Sequence, residues 1–407
     1  MFTRSSVTVR PVRGNQSRHR AIAAGIFLVL GFHVGVWAVQ LAGLSAALQL
    51  SPGLLGTALT TASATGIVTL FAGGRLADRL GRRPVLLLGF VGTALAFALL
   101  SQVGELVSLF VVLAAYGLFV SFVDLAANAV GADYEHTHGV QAMTGLHAGF
   151  SFGATLGAVG TGVVLWAGVD FRAVYLGLAV VLAAAAVLAM LVPLPSPAAS
   201  EPTPAAGGGA VWRIPAVAFA IVLVTVTMFG DGALESFLAV YLSRALASGV
   251  LLSGIGVASF HLASLAGRLL ASRALRRWGE RRVVVAAGLL AAGGISVAVS
   301  TSQVVLAIGG LLLVGFAVSP VMPTAFSLAA RSAPGQSGRA VARTTAAGYS
   351  AFIVSPVLVG RVADASSLRV GLGLLIATAL AIAALGRRWP QGEAPVGPDS
   401  STGASRC

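Results

Sequence analysis

The sequence predicts an all-α integral membrane protein, with twelve transmembrane helices in two six-helix pseudo-symmetric bundles. Three observations carry that expectation. Of 407 residues, 57% are hydrophobic and only 10% charged, where a soluble globular domain carries about 25% charged residues. The apolar residues come in blocks of about 17–28, the length that crosses a hydrocarbon core of about 30 Å as helix. A loop sequence also recurs in the two halves, as GRLADRLGRRPV at 74–85 and GRLLASRALRRWGERRVV at 267–284. Internal duplication of helical bundles marks many secondary transporters, whose substrate site lies between the repeats.

The elements follow in order. Residues 1–20 form a basic, polar tail, and Ala21–Ala47 is apolar for longer than the apolar region of a secretory signal. This block reads as a retained first span. Further spans are expected at 54–72, 84–101, 106–130, 140–167, 171–192, 214–242, 250–271, 283–300, 303–326, 340–362 and 370–386. The bundles are then 21–192 and 214–387, joined by a cytoplasmic linker at 193–213 and followed by a tail at 388–407. The linker sequence PLPSPAASEPTPAAGGG has nothing to bury.

The net charge of +13 comes from arginine alone, because the chain has no lysine. The arginines punctuate the ends of apolar blocks, so they read as topology signals and not as a nucleic-acid face. With the N-terminus inside, cytoplasmic segments hold 22 of them and the other side holds four: Arg172, Arg244, Arg361 and Arg369. Both termini are therefore expected in the cytoplasm. Cys407, the single cysteine, closes the sequence, which leaves no disulfide framework within one chain.

Ionisable groups inside the spans point to function, because a carboxylate in hydrocarbon costs roughly 2.5–3.5 kcal/mol on insertion scales. They are His33 in span 1, Asp124 in span 4, His147 in span 5, Asp231 and Glu235 in span 7 and His261 in span 8; spans 3, 6, 9 and 12 have none in their interiors. Charged groups should face water or each other and not lipid. Asp231 and Glu235 lie one turn apart in FGDGALESFLAVY (229–241) and so share a helix face. Two carboxylates that close do not both ionise easily, which makes them a protonatable pair. Asp231, the deeper of the two, is the stronger candidate, with a salt bridge to a group such as His261 as the alternative. By the same spacing Asp124 and Asn128 share a face, as do His147 and Ser151. Asp124 and His147 fall at similar depth, as a proton relay or a static hydrogen bond between helices.

Other features concern the backbone. Gly149, Gly153 and Gly157 form a stripe that allows close helix packing in lipid. Pro320, Pro323 and Pro356 break helical hydrogen bonds, which is tolerated where backbone lines a cavity or a helix flexes. GFSFG (149–153) matches G-x-S-x-G, but a nucleophile elbow needs a strand-to-helix turn, so within a continuous helix the match is coincidental.

The loop GRLADRLGRR resembles the signature of the major facilitator superfamily through Gly74, Leu76, Asp78, Arg79, Gly81, Arg82 and Arg83. The resemblance covers about residues 20–388 and implies the major facilitator fold, working as a monomer by alternating access. It makes Gly74, Arg75, Asp78, Arg79, Gly81, Arg82 and Arg83 a cytoplasmic gate motif, with Ala271 standing for Asp78 in the second copy. Residues 123–158 are similar to the sugar-permease branch near the fucose–proton symporters, which implies a proton-coupling role for Asp124. Where those symporters carry another acid in span 1, this chain offers His33 and Gln40. The span-5 glycines echo the drug:proton antiporters, with Ala158 in place of their proline.

The expected function is secondary transport of a small solute across the bacterial cytoplasmic membrane, as proton-coupled symport of a sugar or similar polar metabolite. The alternative is proton-antiport efflux of a drug or hydrophobic metabolite, and a more remote one is a membrane sensor. Asp124, Asp231 and Glu235 are the candidate proton carriers; His33, Gln40, Asn128, His147, Ser151 and His261 are the candidate cavity residues. The partners are a small-molecule substrate, protons and the lipid bilayer, with no nucleic acid. No cofactor or metal is expected and no enzyme activity, and the sequence lacks G-x-x-x-x-G-K-[ST] for a nucleotide.

Overall fold

A computed structural model describes residues 13–195 and 211–390, with side chains described outside 13–14 and 70–78. The first half holds α1 (Arg13–Ala47), α2 (Pro52–Leu80), α3 (Arg82–Leu100), α4 (Leu106–His138), α5 (Met143–Trp166) and α6 (Phe171–Leu191). The second holds α7 (Pro215–Val240), α8 (Val250–Ser300), α9 (Val304–Val318), α10 (Val321–Arg331), α11 (Ser337–Ala365) and α12 (Leu368–Arg387). No strand occurs among the described residues. An apolar chain in lipid must satisfy every backbone N–H and C=O within itself, and a helix does so segment by segment. Ten of the described helices are long and apolar enough to cross a membrane. Of the expected linker at 193–213, residues 196–210 lie outside the described set.

Helix outlasts hydrophobicity at the arginine-rich face. α4 reaches His138 where the apolar run ends near 130, and α8 continues through the expected loop after 271. Polar residues there keep their intrahelical bonds, so only a residue that cannot be helical stops the rod. That residue is glycine both times: Gly81 (φ 85, ψ 169) ends α2, and Gly279 (φ 76, ψ 161) divides the 51-residue α8 into two crossings. Both sit in a region that is essentially glycine-only.

The prolines are accommodated by their neighbours. Pro320 separates α9 from α10, and Pro356 lies inside α11. Each follows a serine, and each withdraws an N–H from the carbonyl four residues back. Ser319 Oγ donates to the Phe316 carbonyl (3.0 Å) and Ser355 Oγ to that of Phe352 (3.1 Å). The hydroxyl supplies the bond that the following proline removes.

The two halves keep one register. The shift of 198 residues (279 − 81) that relates the glycine breaks also carries Pro52 onto Val250, where α2 and α8 start, and Leu106 onto Val304, where α4 and α9 start. It carries the ion pair between Arg82 Nε and Asp133 Oδ2 (3.0 Å) onto that between Glu280 Oε2 and Arg331 Nη2 (2.5 Å), with the charges exchanged. This register corrects the loop comparison made from the Gly-Arg-Leu triplets. Asp78 corresponds to Arg276, not Ala271, and Arg268 lies eleven residues before the break, roughly 16 Å along the helix at 1.5 Å per residue.

Within the first bundle α1 packs on α5, α4 on α2 and α3, and α3 on α6; within the second α7 packs on α11 and α8 on α9 and α12. Gly153 and Gly157 of the α5 stripe lie directly against the backbone of Leu28 and Phe32, as expected of close packing in lipid. The halves meet along α2–α11 and α5–α8. These seams are tightest at the face away from the arginines, where Gly56 abuts the Pro356 carbonyl and its counterpart Gly254 abuts that of Ala158. Ser51 Oγ and the Gly53 N–H both donate to the Asp364 carboxylate (2.9 and 3.0 Å), so α11 caps the start of α2. Arg244 donates to the Leu50 carbonyl (2.8 Å) across the same end.

Candidate functional site

Between the halves lies a cleft of about 880 Å³. Its walls come from α1, α2, α4, α7 and α11, and none from α3, α6, α9 or α12. Four aromatic side chains, Trp37, Tyr116, Tyr349 and Phe352, and one carboxylate, Glu235, dominate the lining. Trp37 and Tyr116 stack at a tilt with centroids 5.0 Å apart. Trp37 and Glu235 are counterparts in the repeat, so the α1 and α7 faces meet the cleft at matching positions.

The expected cavity residues divide. Asp124 and Asn128 share a face and bond, with Asn128 Nδ2 donating to Asp124 Oδ1 (3.0 Å) and to the Asp124 carbonyl (2.9 Å). Tyr349 lies within electrostatic reach of both Asp124 and Glu235. His147 does not bond Asp124; its ring stands edge-on to Phe27 with centroids 5.1 Å apart. It belongs to a second cluster centred on Arg268, whose guanidinium also acts electrostatically on His261, Asp231 and Glu235. Arg268 Nη1 donates to Ser151 Oγ (2.8 Å), a bond from α8 to α5 across the two halves. Neither Asp231 nor Glu235 makes a hydrogen bond or an ion pair within 4.0 Å among the described residues, and both are half-buried.

His33 and Gln40 turn out to be bundle residues. The Nδ1–H of His33 donates to the Leu30 carbonyl (3.2 Å), and the Tyr116 hydroxyl donates to its Nε2 (2.9 Å), with Phe97 edge-on to the ring. Buried between α1, α3 and α4, it faces away from the cleft. Gln40 donates to the Phe171 carbonyl (2.6 Å) and ties α1 to α6. Asp231, the repeat counterpart of His33, likewise lines a smaller crevice of about 310 Å³ among α8, α9 and α12. The shared face expected for Asp231 and Glu235 is therefore split between two spaces, and Glu235 is the one on the cleft.

Arg268 went unnoticed in the sequence because it was counted with the loop arginines after span 8. Its position well before the glycine break was the available signal. In the gate motif, Gly74, Arg75 and Asp78 lie among residues whose side chains are outside the described set. Arg79 is exposed, Gly81 makes the break and Arg82 pairs with Asp133. Arg83 donates to the Met190 and Val192 carbonyls, which caps the end of α6. The described arginine contacts are thus made within the first bundle. GFSFG lies inside continuous α5 without a strand-to-helix turn.

Comparison with known proteins supplies the remaining evidence. A model of the Major Facilitator Superfamily matches residues 22–356 and 220–405. An uncharacterized MFS-type transporter of Yersinia pestis is 27% identical over 361 residues, 89% of this chain and 93% of the relative. An uncharacterized transporter of Sinorhizobium fredii is 26% identical over 355 residues, 86% of this chain and 92% of its own. Among solved structures, a variant of the nucleoside transporter NupG superposes with a TM-score of 0.77 at 12% identity, covering 92% of this chain and 100% of the other. A bacterial homolog of the human lysosomal transporter Spinster, inward-facing and unoccupied, gives 0.74 at 14% identity, covering 93% and 97%.

Proposed function

The chain belongs to the Major Facilitator Superfamily, and on that footing we propose that it carries a small solute through the central cleft by alternating access, with Glu235 taking and releasing the coupling proton. The observation behind this reading is the bare carboxylate of Glu235 on the cleft wall, with Arg268 in electrostatic reach. A charge held at that depth is expensive unless a proton or a partner neutralises it. When Glu235 is protonated, Arg268 is free to bond Ser151 and hold α5 to α8. When Glu235 loses its proton, the carboxylates of α7 draw Arg268 toward their own half, and the bond across the seam is released. Proton binding and the closure of the two halves are thereby coupled through one side chain.

Of the two transport directions, the lining favours export of a hydrophobic compound in exchange for protons over sugar symport, because aromatic and aliphatic groups form almost the whole wall. Asp124, held by Asn128, is a second proton site next to Tyr349. The excess of arginine at one face supports cytoplasmic termini, in the cytoplasmic membrane of a bacterium. Reconstituted vesicles with an imposed pH gradient test the coupling. Glu235→Gln is expected to abolish pH-driven flux, and Asp231→Asn to weaken it by less. Wild-type coupling retained in Glu235→Gln would rule out the assignment.

A further inference from the structure

We infer that the cleft takes an organic cation, a solute with one positive charge on an apolar body of several rings, its charge paired with Glu235. This rests on the reading of Glu235 as an ionisable group open to the cleft. Among the described residues that line the space there is no Asn, Gln, His, Arg or Lys. A sugar needs a donor and an acceptor for each hydroxyl, and three of the five lining hydroxyls are already bonded within the protein, which leaves those of Ser121 and Tyr349. Ser63 Oγ donates to the Leu59 carbonyl (3.2 Å), Ser236 Oγ to that of Gly232 (2.7 Å), and Tyr116 to His33 (2.9 Å). What the wall does offer is ring faces and one negative charge. Trp37, Tyr116, Tyr349 and Phe352 line the space, and a cation is stabilised over aromatic rings when water is excluded.

The charged and titratable groups within electrostatic reach of Glu235 fit the same conclusion. They are Asp231 on its own helix, Arg268 on α8, Tyr116 on α4 and Tyr349 on α11. Arg268 lies outside the lining, so no cation among the described residues forms part of the cleft wall. An organic anion would meet Glu235 with no counter-charge on the wall. An organic cation would replace the proton there: each cation that pairs with the carboxylate sends one proton to water, and each proton that returns expels the cation. Exchange then follows from competition for a single oxygen pair.

Equilibrium binding to the purified full-length chain tests this with two shape-matched probes, tetraphenylphosphonium and tetraphenylborate. The cation is expected to bind at least about tenfold tighter than the anion, a difference of about 1.4 kcal/mol, and to bind more tightly at about pH 8 than at about pH 6. Glu235→Gln should lose that tenfold preference and Glu235→Asp should keep it. Equal affinity for the two probes, absence of tetraphenylphosphonium binding, an unchanged preference in Glu235→Gln, or displacement of the probe by glucose or fucose would each overturn the assignment. Where Glu235→Gln does not fold, the wild-type ratio and its pH trend decide alone. Proton release on binding, read with an indicator dye in weak buffer, separates the two readings. Cation binding without release leaves the cation site standing and removes Glu235 from proton coupling.

Discussion

Arg268 has five N–H donors, one of which is spent on Ser151. A side chain so placed has somewhere else to go, and the carboxylates of α7 are the destination its surroundings provide. Charge counting by loop hid this residue, since an arginine shortly after an apolar block looks the same whether the helix has ended or continues. His33 illustrates the opposite confusion. Its depth in span 1 was legible, but its direction was not, because direction depends on what stands across from it. Tyr116 stands across from His33, and the repeat counterpart of Tyr116 is Val314, so Asp231 finds no such donor. Replacing His33 by Leu leaves the Tyr116 hydroxyl without its acceptor, which costs about 1–3 kcal/mol for a buried group. His33→Leu is expected to lower the thermal unfolding midpoint in detergent while solute flux persists. Loss of flux at unchanged stability would place His33 in the transport path.

At the scale of elements, hydropathy gave the crossings and their outward or inward character, and the aromatic-lined cleft is indeed built from spans free of that lipid-facing signature. Element ends were less legible. Apolar runs stop where lipid stops, whereas helices stop where the backbone is forced to turn, as at Gly81, Gly139 and Gly279. The residues just past Gly81 and Gly279 carry the exchanged ion pairs. Arg82 is mostly buried and Asp133 almost wholly so, and breaking a buried pair by removing one partner costs about 3–5 kcal/mol. Arg82→Glu alone should therefore fold poorly, and Arg82→Glu with Asp133→Arg should recover much of the lost stability, since the second bundle already uses that polarity at Glu280 and Arg331. Thermal midpoints of the single and double variants measure the recovery. No recovery in the double variant would mean the pair is set by its surroundings and not by its own charges.

For the molecule as a whole, the decisive contacts are the seams between halves. At the face away from the arginines they are backbone against backbone at Gly56 and Gly254, and Asp364 bonds the first turn of α2. Alternating access requires this end to part. Any side chain at Gly56 would meet the Pro356 carbonyl, so Gly56→Leu is expected to hold the end apart. A cysteine pair at Thr60 and Ile353, whose hydroxyl and carbonyl are bonded at 2.8 Å, gives the readout in a Cys407→Ser background. Cross-linking should be efficient with Gly56 and fall several-fold with Gly56→Leu; equal yields would show that the seam closes without the glycine. None of these seam contacts could be read from one strand of text, because each joins residues about 200 or more positions apart or depends on which glycine faces which carbonyl.

The constant spacing between the halves also bears on ancestry. From the start of α2 to Asp133, and again where α5 and α11 cross the seam, the two halves keep the same spacing. Every difference between them over those stretches is a substitution in place. His33 against Asp231, Trp37 against Glu235 and Arg82 against Glu280 are each one position with two outcomes. A symmetric pair of bundles could thus have acquired a single acidic wall, and with it a preferred cargo, through a few codon changes and no remodelling of the backbone.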